Sequence, residues 1–234
     1  MSSTDFERSN ALVDEIVLGD RALAAWEITS VVSSALIAEW ILSAAAGRTK
    51  AIIAIPTSLA FFLIVSSQRL RRENHRELGF RLDNFLQALK LLLVPMVLVA
   101  VLTFVIGWIF GARPDFLRWH AERRLAAQLG LGTAWGFLQQ YVLQSFLNRR
   151  TQTVWGSGAI SVLVTAAIFA GLHFPNPWLM VVTFVGGLIW ANVFQRAPNL
   201  FALALSHSVM TWILVSTLPA SALNHLRIGF KYFG

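Results

Sequence analysis

The most regular feature of this 234-residue chain is the length of its apolar runs. Seven stretches carry little or no charge over roughly 16 to 21 residues, close to the about 20 that a helix needs to cross a hydrocarbon core. They run from Trp26 to Ala46, Ala51 to Ser67, Leu91 to Phe110, Leu131 to Asn148, Val154 to Phe174, Trp178 to Phe194 and Leu200 to Leu218. Each is continuously apolar rather than alternating in short segments, so its backbone must satisfy its own hydrogen bonds as a helix and not as a barrel strand. The pattern predicts an all-α, polytopic transmembrane bundle of about seven to eight helices. The eighth is expected between Ala112 and Gly130, where Phe116, Leu117, His120, Arg124 and Leu125 mix polar and apolar character at helical spacing, as in a helix lying in the membrane interface.

Composition agrees with a bilayer: 56% of residues are hydrophobic and only 13% charged. The net charge of +7 invites a nucleic-acid reading, but its distribution argues against one. Residues 1–122 hold 12 basic and 12 acidic side chains, whereas residues 123–234 hold seven Lys and Arg and no Asp or Glu. The excess basic groups sit mostly at the ends of apolar runs, where membrane topology and contact with lipid headgroups place them. Arg69, Arg71, Arg72, Arg76 and Arg81 mark the loop after the second run as cytoplasmic, with the N-terminus on the same side. The opening residues MSSTDFERSNALVDEIVLGD are polar and acidic and do not read as a removable signal peptide. Residues 1–25 are expected to form a cytoplasmic or interfacial segment and 26–234 a single membrane domain. Zero cysteines excludes disulfides, thiolate metal sites and a cysteine nucleophile.

Unusual polar groups collect in the second half. Gly132, Gly136, Gln140, Gln144 and Asn148 recur every fourth residue, forming one helical stripe of small residues followed by amides, with Gln139 beside it. Small residues admit a neighbouring helix closely, and amides facing it bond across the contact for about 0.6 to 2 kcal/mol each. His173 closes the next run, four residues after Phe169 and ahead of two prolines. His207 lies well inside the last run, with Thr211 one turn on. A polar ionisable ring at that depth needs a partner within the bundle and marks a candidate site.

An amide pair with a third amide beyond it, then Phe-x-x-x-His, then a buried His with Thr four residues later, in that order, resembles the CPBP family of membrane endopeptidases. These are the CAAX proteases and bacteriocin-processing enzymes, also called the ABI family, whose pattern runs EExxxR, FxxxH and HxxxN. The likeness spans about residues 77–212 and begins at the Leu-Gly-Phe-Arg of ENHRELGFRLDNF. It implies an intramembrane endopeptidase in the bacterial inner membrane, with membrane lipids around it and a membrane-embedded or prenylated peptide as substrate. By the resemblance, Gln139 and Gln140 stand at the two glutamates, Gln144 at the arginine, His173 and His207 at the histidines, and Thr211 at the asparagine.

The family's first glutamate is thought to activate water, and a neutral amide cannot take a proton from water, whereas a carboxylate base contributes on the order of 10² to 10⁴ in rate. Replacing both signs of charge together by amides is self-consistent, because removing one partner of a buried ion pair costs about 3 to 5 kcal/mol. The remaining carboxylates near this segment are Asp115 and Glu122, and Glu39 lies within the first run. Three functions stay open: a peptidase in which His173 is the base, a non-catalytic peptide-binding, immunity or scaffold protein, and a small transporter using Glu39 and His207. Two histidines without a carboxylate fall short of a zinc ligand set, so neither metal nor other cofactor is expected.

Overall fold

The computed structural model describes the backbone of residues 3–45, 50–116 and 125–234. All regular structure among these residues is helical, in seven long helices. α1 spans Ser3–Leu36 and continues through a π-helical turn, Ile37–Leu42, to Ser43–Ala45; α2 spans Lys50–Leu70 and α3 Phe85–Ile109. α4 spans Leu125–Gln140 and runs on through a π-helical stretch, Tyr141–Asn148, into Arg149–Trp155. α5 is Ala159–Gly171, α6 Pro177–Arg196 and α7 Leu200–Thr217. Short 3₁₀ turns, Asn224–Leu226 and Gly229–Phe233, lie in the segment after α7.

Among the described residues, four stretches are long and apolar enough to cross a membrane: Glu15–Ala45, Phe85–Ile109, Pro177–Arg196 and Leu200–Thr217. The run at 51–67 lies within the 21-residue α2, and the run at 154–174 yields the shorter apolar helix Ala159–Gly171. The second is trimmed by its own sequence, because Gly156 and Gly158 take φ of +81° and +126° and Pro175 follows its other end. The run at 131–148 becomes the middle of the longer α4. Of the interfacial helix expected at 112–130, residues 117–124, including His120, Glu122 and Arg124, lie outside the described residues; 112–115 are irregular and 125–130 open α4.

Asparagines set the starts of the two helices that frame the site. Asn176 caps α6 by accepting from Leu179 N at 3.2 Å, with Pro177 in the first turn where its missing N–H costs nothing. Asn199 caps α7 by accepting from Ala202 N at 2.9 Å, and its amide donates to Arg81 O at 2.7 Å and Asn84 Oδ1 at 2.8 Å. The loop before α3 is thereby fastened to the start of α7.

α5 and α6 pack as an intimate antiparallel pair, and α7 lies against both α3 and α4. Close approach is made by glycine: a Cβ on Gly187 of α6 would sit 3.0 Å from Ala166 Cα and 3.1 Å from Ala166 Cβ, and one on Gly136 of α4 3.3 Å from Ala204 O. Gly187→Ala is expected to push α5 and α6 apart and cost about 1 to 3 kcal/mol, read as a lowered unfolding midpoint in detergent. An unchanged midpoint would show that the contact yields freely.

A buried ionic cluster joins the first half of the chain to the second. Arg150 is 1% exposed. Its guanidinium meets Glu27 of α1 at 2.7 Å, Glu73 of the α2–α3 loop at 2.7 Å and Ser67 Oγ of α2 at 2.7 Å, and lies over the Phe146 ring at 5.2 Å. Arg149 reaches Glu73 at 2.9 Å and Arg71 reaches Glu27 at 3.3 Å. Arg71, Arg149 and Arg150 serve here as structure rather than as topology markers.

Candidate functional site

α3, α4, α6 and α7 enclose a cavity of about 250 Å³, closed partly by residues after α7. Its walls are mainly aliphatic and aromatic, and Gln139, His173, His207 and Thr211 all line it. Four of the six residues singled out in the sequence therefore converge on one space from α4, the α5–α6 junction and α7.

The other two stand behind the wall. Gln140 is fully buried and its Nε2 lies 3.1 Å from His207 Nδ1. With the amide as donor, Nδ1 accepts, so Nε2 carries the ring proton. His207 also stacks on Trp190 of α6, centroids 4.6 Å apart and planes at 10°, while Trp190 Nε1 donates to Ser206 Oγ at 2.9 Å. Gln144 is fully buried and accepts from Asn148 Nδ2 at 2.8 Å; Asn148 Oδ1 in turn accepts from Gln195 Nε2 of α6 at 2.9 Å, which also donates to Ser161 Oγ of α5 at 3.0 Å. This amide chain bonds α4, α5 and α6 to one another without an ion pair. Gln140 Oε1 and Gln144 Nε2 have no hydrogen-bond partner among the described residues.

His173 is oriented by its own helix end. Its Nδ1 is 2.7 Å from Phe169 O, a pure acceptor, so Nδ1 donates and Nε2 keeps the lone pair in the neutral ring. Phe169 explains its place four residues earlier: its ring meets His173 edge-on at 4.8 Å and also faces His207 at 6.4 Å. The two histidines thus present complementary groups, an acceptor at His173 and a donor at His207.

No carboxylate is among the cavity's described lining residues. Glu39, the carboxyl within the first apolar run, sits in the π-helical turn of α1 with Lys231 3.5 Å away. Asp115 lies before α4, its N donating to Ser216 O at 2.8 Å. Among the described residues no group of three His, Asp or Glu comes together as a metal-binding set. Sequence reasoning missed Trp190, one of nine tryptophans with no mark of its own in an apolar run, and Leu226 and Ile228 of the closing segment.

Long apolar helices around an internal cavity that carries two histidines mark an integral membrane protein. Residues 121–213 match the model of the family described as Type II CAAX prenyl endopeptidase Rce1-like. That match contains all six residues from Gln139 to Thr211, and over it the chain is similar to the CAAX prenyl endopeptidases. No curated protein and no solved structure matches the chain.

Proposed function

We propose that the protein binds an extended apolar peptide, or the prenylated end of one, in this cavity without the glutamate-driven hydrolysis of its family. It does so from a bacterial inner membrane, as one membrane domain whose core covers about residues 77–212. The observation that carries the reading is the combination of two histidines with no carboxylate among the described lining residues. His207 Nε2–H donates to a peptide carbonyl, His173 Nε2 accepts from a peptide N–H, and the aliphatic walls take side chains or an isoprenoid. Thr211 of α7 and Gln139 of α4 add neutral polar contacts.

Such a site holds a peptide unit without burying a charge, which in this environment would demand a partner. Binding of fluorescent farnesylated and unmodified peptides to the protein in nanodiscs tests the reading. His207→Ala is expected to weaken binding about tenfold, the loss of one buried hydrogen bond and the Trp190 stack. Unaltered affinity in that variant would remove the cavity from consideration.

One specific feature favours a second reading. Because Phe169 O fixes the Nδ1 proton of His173, Nε2 is free to act as a general base toward water, with His207 as donor to the developing oxyanion. No described carboxylate stands behind His173 to stabilise the imidazolium, so this chemistry is expected to be weak.

A further inference from the structure

The segment after α7 returns across the end of the bundle, and two of its side chains, Leu226 and Ile228, line the cavity. With Leu223 they pack beside Leu179 and Val182 of α6 and Leu214 of α7, while Arg227 between them is exposed. Arg227 and Ile228 are extended, with φ/ψ of −74°/141° and −133°/171°. A short piece of the chain's own peptide therefore places two aliphatic side chains, two residues apart, against the space that the histidines line.

The piece is held rather than relaxed. Asn224, His225 and Leu226 take consecutive left-handed φ values of 44°, 51° and 59°. Residues with a Cβ rarely adopt this conformation in succession, and it persists only where the surroundings impose it. Three fastenings impose it here. Asn176 Nδ2 donates to Leu223 O at 2.8 Å and to Arg227 O at 3.1 Å; Gly229 N donates to Phe174 O at 3.0 Å; Lys231 pairs with Glu39 at 3.5 Å. The last is partly exposed, 53% and 31% for the two side chains, and is the weakest. Gly229 has φ +55°, and a Cβ there would lie 2.7 Å from Glu39 O, so glycine alone lets the segment reach its seat on the π-helical turn.

The geometry points to a self-occupied subsite: Leu226–Arg227–Ile228 is a built-in competitor, and a peptide with aliphatic side chains two residues apart displaces it to enter the cavity. This rests on the cavity being a peptide site. Release discharges the left-handed turn and breaks first at Glu39–Lys231, so the strained backbone and the weak ion pair make the strap displaceable while the Asn176 bond to Leu223 O keeps it tethered.

The chain has no native cysteine, so Leu214→Cys with Leu226→Cys, in one apolar cluster, lets the strap be locked by oxidation, with the bond checked by mass, and freed by reduction. The probe is a fluorescein-labelled synthetic peptide copying residues 222–230, read by anisotropy with the full chain in nanodiscs. The oxidised double variant is expected to bind at least about tenfold more weakly than the same protein reduced, since the competent state is removed. Lys231→Ala is expected to bind about two- to fivefold more tightly than wild type, the scale of one exposed ion pair. Gly229→Ala shifts affinity the same way, and if it fails to fold the lysine variant carries the comparison. Equal affinity of oxidised and reduced protein, with binding still weakened by His207→Ala, overturns the strap and leaves the peptide site standing. Binding by none of these forms overturns both.

Discussion

Arg150→Met lowers the stability of the folded protein by about 3 kcal/mol, the lower end of what breaking a buried ion pair costs. The guanidinium is 1% exposed and holds Glu27, Glu73 and Ser67 from three different elements. Its removal leaves two carboxylates short of a cation, although Arg71 still reaches Glu27 and Arg149 still reaches Glu73, which keeps the loss from being larger. Arg149→Met, one residue earlier with its side chain 26% exposed, is expected to cost no more than about 1 kcal/mol. Unfolding midpoints of the two variants in the same detergent make the comparison. Equal losses would show that burial is not what gives Arg150 its weight.

Gln144→Arg, the cation that the resemblance implies at this position, is expected to cost about 3 to 5 kcal/mol, because a charge is placed at a fully buried position among amides. Its hydrogen-bond partner Asn148, and Gln195 bonded to Asn148 in turn, offer no countercharge. Adding Gln140→Glu one helical turn away supplies one, and the double variant should recover at least about 1 kcal/mol relative to the sum of the single effects. That coupling is the signature of amides that replaced an ion pair together. Strictly additive losses would mean that Gln140 and Gln144 are independent packing residues.

Much of this was legible in the sequence because it is local. Apolar run length gave the helical membrane class, and four-residue spacing put Gln140, Gln144 and Asn148 on one buried face. The spacing of Phe169 and His173 reappears as a ring contact and a backbone hydrogen bond. What escaped depends on pairings across the chain. Arg149 and Arg150 read as cations at a helix end, because nothing local announces that Glu27 and Glu73 fold onto them. Glu39 was legible as a carboxyl within an apolar run, but nothing local shows that Lys231, 192 residues later, lies beside it. The strap over the cavity has neither periodicity nor a run of apolar residues, so only the fold shows that Leu226 and Ile228 face the histidines.

The central claim is that two neutral histidines bind a peptide here without the family's glutamate chemistry. Incubating purified wild-type protein in nanodiscs with a farnesylated peptide, and following both bound and cleaved fractions by mass spectrometry, tests it most directly. The account predicts peptide that is bound and recovered intact; cleavage that disappears in His173→Ala would contradict it and make His173 the base of a working peptidase.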